Sequence, residues 1–155
     1  MASITESIEV NVPVSTVYNQ WTQFEEFPQF MEGVESVSQL DDTHLRWVAE
    51  IGGKREEWTA EISEQRPDER VAWKAIEGHG NAGVVTFHRL NDNETRVTVQ
   101  MDYETEGLVE SLGSAIGSDS RRVKGDLKRF KELIESRGVE SGAWRGEVDQ
   151  GDRVS

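Results

Sequence analysis

Residues 45–60 read LRWVAEIGGKREEWTA, a segment that predicts a β-hairpin with a defined register. The turn falls at Gly52-Gly53, because glycine tolerates the positive φ angles that tight two-residue hairpin loops require. Centred on that turn, the hairpin pairs Ile51 with Lys54, Ala49 with Glu56, Trp47 with Trp58 and Leu45 with Ala60. Two facing indoles on one side of a small sheet need a large apolar partner above them. Whether that partner is protein alone or partly a ligand decides the function.

Further strands flank this hairpin on both sides. Short connections rich in turn-forming residues separate the apolar segments, a pattern typical of antiparallel hairpins. The predicted strands cover residues 4–12, 33–40, 43–51, 54–65, 69–77, 82–90 and 95–105. Between the first two of them, residues 14–21 and 24–31 carry the apolar spacing of short helices. Trp73, on a neighbouring strand, shares the face of the two paired indoles.

One long helical pattern predicts what covers the sheet. Apolar residues recur at spacings of three and four through residues 108–137, and Gly138 is a natural helix end. Residues 139–155 show no periodicity, so we expect a flexible C-terminal tail, in which only Trp144 has an evident reason to dock. The chain therefore predicts an α+β domain with a sheet packed on its last helix.

Composition excludes several classes of function. The chain has 155 residues, a formal net charge of −13 and no cysteine. This length suits a single domain with a substantial core, and the lack of cysteine excludes disulfides, thiolate zinc sites and a thiol nucleophile. The acidic charge argues against nucleic acids and against stable association with anionic membranes, which attract basic patches. No transmembrane or signal pattern is visible, so we expect a cytoplasmic protein.

Five segments, together with the terminal helix, carry a family resemblance: SIEVNVPVSTVYNQWTQFEEFPQFMEGVESV, EEWTAEI, RVAWKA, NAGVVTFHRL and NETRVTVQMDY. They are similar to the START-like superfamily, also called Bet v 1-like or SRPBCC, and within it to the polyketide cyclase/dehydrase and coenzyme Q-binding group. The resemblance spans about residues 3–138. It implies a helix-grip fold, in which a curved antiparallel sheet of about seven strands wraps the long helix. We therefore assign residues 1–138 to one START-like domain.

The resemblance also implies a hydrophobic cavity between sheet and helix. Members bind lipids, sterols, polyketides, quinones or plant hormones, and some catalyse aldol cyclisation or dehydration of polyketides. The first hypothesis is a protein that binds a polyketide-like aromatic molecule, with cyclase or dehydrase activity left open. The alternatives are a lipid or quinone carrier, and a non-catalytic interaction or regulatory module with a filled cavity. None of these requires a cofactor.

Inward-facing positions give the candidate ligand-binding residues, which are Trp47, Trp58, Trp73, Phe87, Val99, Met101, Tyr103 and Ile116. Trp21 and Phe30 are expected near the aromatic members of this set. The alternative interpretation is that these side chains simply fill the core beneath the helix. Two glycine-rich connections resemble the family's gate over the ligand, namely Gly52, Gly53, Gly78, His79 and Gly80. They also fit ordinary turns, and the second lacks the Lys-Ser/Thr ending of a phosphate loop.

Two carboxyl groups are weak candidates for acid–base roles. The first hairpin places Glu56 on the Trp58 face. A second hairpin centred on Pro67-Asp68 pairs Ile62 with Trp73, Ala60 with Ala75 and Trp58 with Glu77. If desolvated there, both carboxyls would have a raised pKa. The alternative is that they are solvated at the open end of the sheet or paired with Lys54 and Arg55. Tyr103 is a further candidate for orienting polar groups of a ligand.

The orientation of His88, the remaining catalytic candidate, depends on register. A two-residue turn at Asp92-Asn93 points His88 inward, whereas a bulge near His88-Arg89 sends it to solvent and turns Val85, Phe87 and Leu90 inward. The spacing of Phe87 and Leu90 favours the bulge. The histidines lie on separate elements and no cysteine accompanies them, so the sequence predicts no metal site.

Overall fold

A computed structural model of the chain describes residues 2–31, 33–51, 54–77, 81–103 and 109–154. A first strand and two short helices precede the main sheet, and a long helix follows it. The strands are β1 Ala2–Val10, β2 Val34–Asp41, β3 His44–Ile51, β4 Lys54–Arg66, β5 Arg70–Glu77, β6 Asn81–Asn91, β7 Glu94–Tyr103, β8 Val148–Asp149 and β9 Asp152–Arg153. The helices are α1 Val14–Trp21, a 3₁₀ helix Phe24–Gln29 and α2 Val109–Arg137.

The strands form one antiparallel sheet in the order β1-β7-β6-β5-β4-β3-β2. Strand β8 adds to β4, and β9 adds to β8. The predicted helix-grip α+β fold is confirmed, with two short strands more than the expected number. Helix α2 packs one apolar stripe against the inner face of the sheet, in the same core. The stripe consists of Val123, Leu127, Phe130 and Ile134.

Local sequence explains where α1 begins and where α2 ends. Pro13 precedes α1 with a φ of −61°, and its carbonyl accepts from the Val17 N–H at 3.1 Å. Gly138 ends α2 with a φ of +74°, and its N–H donates to the Ile134 carbonyl at 2.8 Å. A left-handed residue at that position is the usual role of glycine at a helix C-terminus.

The first hairpin has the predicted register. Trp47 pairs with Trp58, and Ala49 with Glu56, on strands β3 and β4. The two indoles stack with their ring centroids 5.7 Å apart and their planes 7° from parallel. Both are almost fully buried. The face defined by the paired indoles therefore belongs to the interior of the protein.

The second hairpin reaches the predicted pairing in its middle by a different route. The turn covers three residues, Pro67 to Glu69, with Asp68 at a φ of +64°. A bulge at Ser63 then restores the register that a two-residue turn would give, so Ile62 pairs with Trp73 and Ala60 with Ala75. A second irregularity, at Ile76, pairs Glu77 with Thr59. The predicted pairing of Glu77 with Trp58 is wrong for that reason.

A bulge also decides the orientation of His88. It falls at Leu90, one residue after the predicted place, between the pairs Arg89 with Thr95 and Asn91 with Glu94. Val85 and Phe87 are buried, and His88 is exposed opposite Arg96. The sequence alternative that sends His88 to solvent is the one observed.

The C-terminal segment, residues 139–154, differs from the irregular tail that the sequence predicts. Its strand β8 pairs Val148 with Gln65 of β4, and Val148 is fully buried. Trp144 packs against the core, and its backbone N–H donates to the Thr22 hydroxyl at 3.1 Å. Docking of Trp144 was expected from the sequence, but periodicity missed strand β8 because two-residue strands carry no pattern. The segment covers the outer side of α1, whose inner side faces the core.

Candidate functional site

A cavity of about 140 Å³ lies between the inner face of the sheet and α2. The sheet, α1, the 3₁₀ helix and α2 all contribute to its wall. Its described lining is Trp21, Phe24, Phe27, Met31, Val34, Leu45, Trp47, Ala49, Trp58, Ile62, Val71, Trp73, Val99, Met101, Arg122, Val123, Asp126 and Leu127. This wall is almost entirely apolar, which is typical of sites for hydrophobic small molecules.

Aromatic contacts hold one side of the cavity in place. The stacked pair Trp47 and Trp58 continues into Phe27, whose ring centroid lies 5.6 Å from that of Trp47. Phe27 in turn contacts Trp21 at 5.4 Å, and Trp21 contacts Phe130 of α2 at 5.0 Å. Aromatic pairs at these separations add about 0.5–1.5 kcal/mol each beyond their burial. The cavity wall is therefore connected from β4 to α2 through rings.

Two charged residues on α2, Arg122 and Asp126, join this apolar lining. They lie four residues apart and so on the same side of the helix. The Arg122 guanidinium reaches the Glu50 carbonyl at 3.5 Å. Asp126 forms an ion pair with Arg129, whose Nε donates to the Phe30 carbonyl at 2.8 Å. Arg122 and Asp126 thus offer a hydrogen-bond donor and an acceptor, respectively, to a molecule in the cavity.

The structure places most of the predicted ligand-binding residues on the cavity wall. Trp47, Trp58, Trp73, Val99 and Met101 line it. Phe87 does not: it is buried between Tyr18, at a centroid distance of 5.4 Å, and Trp21, at 6.2 Å. The side chains of Tyr103 and Ile116 lie outside the described part of the chain.

The polar candidates stand apart from the described lining. Glu56 is half-buried on the face of the indole pair and is not among the lining residues. His88 is exposed, which removes it from the interior. The side chain of Glu77 lies outside the described part of the chain. So do all atoms of the predicted gate residues, which are Gly52, Gly53, Gly78, His79 and Gly80. Arg55 pairs with Glu35 at 2.9 Å and with Glu57 at 3.8 Å.

Sequence reasoning found only part of the contribution of the helices. It expected Trp21 near the aromatic residues of the sheet but did not identify Phe24, Phe27, Arg122 or Asp126. Trp21, Phe24 and Phe27 were visible as apolar spacings, but nothing in a spacing tells a cavity wall from a filled core. Arg122 and Asp126 had a weak signal, since they flank Val123 on the apolar side of α2. This signal does not single them out, because Lys124 and Lys128 are also adjacent to the buried stripe and are exposed.

Metal-binding clusters and membrane-spanning helices are both absent from the described residues. No group of three or more histidine, cysteine, aspartate or glutamate residues could hold a metal ion there. No helix among these residues is long and apolar enough to cross a membrane.

An antiparallel sheet gripping a C-terminal helix over an apolar cavity defines a START-like protein of the SRPBCC superfamily. A family model described as "Polyketide cyclase / dehydrase and lipid transport" matches residues 10–132. The chain belongs to this family. The match ends before the C-terminal segment.

Similar proteins agree with this assignment. An uncharacterized 17.2 kDa protein from Streptomyces lincolnensis is 55% identical over 149 residues, which cover 96% of this chain and 99% of the relative. The fold is similar to that of the Zhui aromatase/cyclase from Streptomyces sp. R1128, with a TM-score of 0.76, 15% identity, and coverage of 92% and 99% of the two chains. A START superfamily protein from Mycobacterium smegmatis gives a TM-score of 0.75 at 16% identity, covering 87% and 98%.

Proposed function

We propose that this protein binds a flat, ring-bearing hydrophobic molecule, such as an aromatic polyketide, in the cavity between the sheet and α2. The observation that carries the proposal is the stacked pair Trp47 and Trp58 in the wall of an apolar cavity. Indoles present broad flat surfaces on which another planar ring stacks well. Membership of a family that includes polyketide cyclases supports the same class of ligand.

The volume sets the size of the molecule that enters without rearrangement. The cavity measures about 140 Å³. An engineered apolar cavity of about 150 Å³ in another protein takes up benzene. We therefore expect compounds of one or two rings to bind in the observed conformation, and larger compounds to require movement of the wall.

Isothermal titration calorimetry with 1-naphthol tests the binding proposal. We expect Trp58→Leu to weaken binding about tenfold, because it removes a stacking surface whose contribution is near 1.4 kcal/mol. Trp144→Leu is the matched control, since Trp144 lies in the C-terminal segment and is not part of the described lining. Equal affinity of the wild-type protein and the Trp58 variant would contradict the assignment of the site.

A cyclase activity is a second candidate, favoured by the position of Arg122 and Asp126 in the lining. In an aldol ring closure, a carboxylate can accept the proton that leaves the carbon between two carbonyls. A guanidinium can donate to the enolate oxygen that results. The enolate carbon then attacks a second carbonyl carbon, and the alkoxide formed there takes up a proton.

Turnover of a linear poly-β-ketone tests this second candidate. We expect Asp126→Asn to lower kcat by about a hundredfold or more, as expected for loss of a general base. Arg121→Ala is the control, because Arg121 is the exposed neighbour of Arg122 on the same helix. Equal kcat in the wild-type protein and the Asp126 variant would exclude this role.

The carrier alternative depends on a basic surface. Lys124 and Lys128 are exposed on α2, whereas Lys131 is held by the Glu9 carbonyl at 2.8 Å and by Glu135 at 2.7 Å. With a net charge of −13, this leaves little attraction for an anionic bilayer. Co-sedimentation with vesicles of phosphatidylglycerol and phosphatidylcholine distinguishes the two: clear binding at moderate salt would favour the carrier.

A further inference from the structure

The indole of Trp73 occupies the space that a side chain at position 83 would need. A Cβ atom added to Gly83 would lie 2.4 Å from Cζ2 of Trp73, 2.8 Å from Cη2 and 2.9 Å from Cε2. Carbon atoms in contact are about 3.5–4.0 Å apart, so no residue with a side chain fits under this ring as it stands. All three of these atoms belong to the six-membered ring of the indole.

The position of Gly83 explains why this matters for the cavity. Gly83 on β6 pairs with Trp73 on β5 and with Met101 on β7. Both partners line the cavity, while Gly83 itself is buried beneath the indole. Trp73 therefore leans across the sheet onto β6 and fills the depression that the glycine leaves.

We propose that Gly83 is a residue that determines ligand size at this site, because it lets Trp73 lie low against the sheet. This inference rests on the proposed binding function and adds a structural basis for its selectivity. The sheet backbone closes the space below the indole. A methyl group at position 83 must push the ring by about 1 Å toward the cavity to reach ordinary contact distance. In a cavity of about 140 Å³, that displacement narrows the space for a planar ligand.

The inference predicts a size-dependent loss of affinity in Gly83→Ala. We expect binding of 1-naphthol, with two rings, to weaken at least tenfold, and binding of phenol, with one ring, to weaken by less than threefold. Trp73→Leu removes the displaced ring. The double variant Gly83→Ala/Trp73→Leu should therefore bind 1-naphthol within threefold of Trp73→Leu alone. Isothermal titration calorimetry measures all four proteins under the same conditions.

Thr86→Ala is the matched control, because Thr86 is exposed on the opposite face of the same strand. We expect it to bind both probes as the wild-type protein does. If Gly83→Ala is unfolded by circular dichroism, the double variant is expected to fold, since the clash is gone. An unfolded double variant would overturn the inference.

The remaining outcomes separate this inference from the function on which it rests. A folded Gly83→Ala protein that binds 1-naphthol as tightly as wild type would overturn the inference and leave the proposed function standing. A wild-type protein that binds neither probe would overturn both.

Discussion

Tyr18 is fully buried next to the polar side chains of Gln65 and Asp68. Among the described residues, no hydrogen-bond partner meets its hydroxyl, either polar atom of the Gln65 amide, or Oδ1 of Asp68. Arg145 lies over the Tyr18 ring at 5.5 Å and pairs with Asp68 at 2.8 Å. Burial raises the pKa of Tyr18 to about 12, with Gln65 and Arg145 acting in the opposite direction. The neutral hydroxyl is therefore strongly favoured in the folded protein.

Removal of this hydroxyl tests whether it is satisfied. We expect Tyr18→Phe to raise the free energy of unfolding by about 0.5–1 kcal/mol, because a buried hydroxyl without a partner carries a desolvation cost. Urea denaturation at pH 7 measures the difference. A loss of more than about 1 kcal/mol would instead indicate that the hydroxyl is hydrogen bonded in solution, either to the Gln65 amide or to a water molecule.

The same tyrosine predicts a pH dependence in the alkaline range. The folded pKa lies above the ordinary value of 10.0, so the folded state holds the proton more tightly than the unfolded state. The contribution of the protonated Tyr18 to the free energy of unfolding is then fully present below pH 10 and is lost as the pH rises toward 12. We expect this loss to be smaller in Tyr18→Phe when unfolding midpoints are measured between these values.

At the scale of elements, the C-terminal segment behaves as part of the fold. Arg145 donates to the Asn19 amide oxygen at 2.6 Å, and Ser141 donates its N–H to Gln20 at 2.8 Å. These contacts reach the outer side of α1, while Trp21 on its inner side lines the cavity. The segment thus supports one wall of the site from behind, although it lies beyond the residues that the family model matches.

Two valines of this segment provide a matched test of docking. Val148 is fully buried in β8, whereas Val139 is 60% exposed. We expect Val148→Ala to lower the free energy of unfolding by about 2 kcal/mol, since two buried methyl groups and a filled volume are lost. The change for Val139→Ala should stay within about 0.5 kcal/mol. Equal, small effects would support the mobile tail that the sequence predicts.

Elements with a strong local signal were predictable from the sequence. Gly52-Gly53 and the alternating apolar residues around it specify the pairing of Trp47 with Trp58, and the structure has that pairing. The spacing of Phe87 and Leu90 favoured the bulge beside His88, but the bulges of the second hairpin were not predictable in the same way. The extra residue at Ser63 compensates for the three-residue turn, so two deviations cancel, while the one at Ile76 does not. A one-residue slip costs little locally and is decided by packing across the whole sheet.

The candidate site was predictable only on its sheet side. Alternation identifies which strand residues face inward, and Trp47, Trp58 and Trp73 follow from it. Whether Arg122 and Asp126 face the cavity depends on how α2 is rotated about its axis over the sheet. The apolar stripe is wide, so periodicity fixes this rotation only roughly. An open volume depends on every side chain around it, so spacing alone cannot predict it.

At the scale of the whole molecule, charge governs stability. The formal net charge of −13 at neutral pH makes the compact state repel itself. Among the described residues, three carboxyls have a lowered pKa. The Thr43 N–H and then His44 lower that of Asp41, Lys131 lowers that of Glu135, and Asn19 lowers that of Glu140. Each is held in its charged form by the fold.

Stability should therefore rise with added salt near neutral pH and fall at acidic pH. At pH 7.5 we expect added NaCl to raise the midpoint of urea unfolding, because it screens the net repulsion. Below about pH 4 stability should fall, since the unfolded chain takes up protons at carboxyls whose folded pKa is lower. Screening of exposed charges changes strongly between roughly 20 mM and 500 mM NaCl. A midpoint of urea unfolding that stays constant over this range would contradict the expected effect of salt.

The stacked indoles of Trp47 and Trp58 give the protein an optical signature. Two identical chromophores with ring centroids 5.7 Å apart couple their electronic transitions. Such coupling splits the absorption band, and it produces a paired positive and negative signal in the circular dichroism when the transition moments of the two rings are skewed. The signal exists only while the hairpin holds the rings together, and a planar molecule that settles against one of them will perturb it. The cavity wall is thus its own spectroscopic probe, readable without a label.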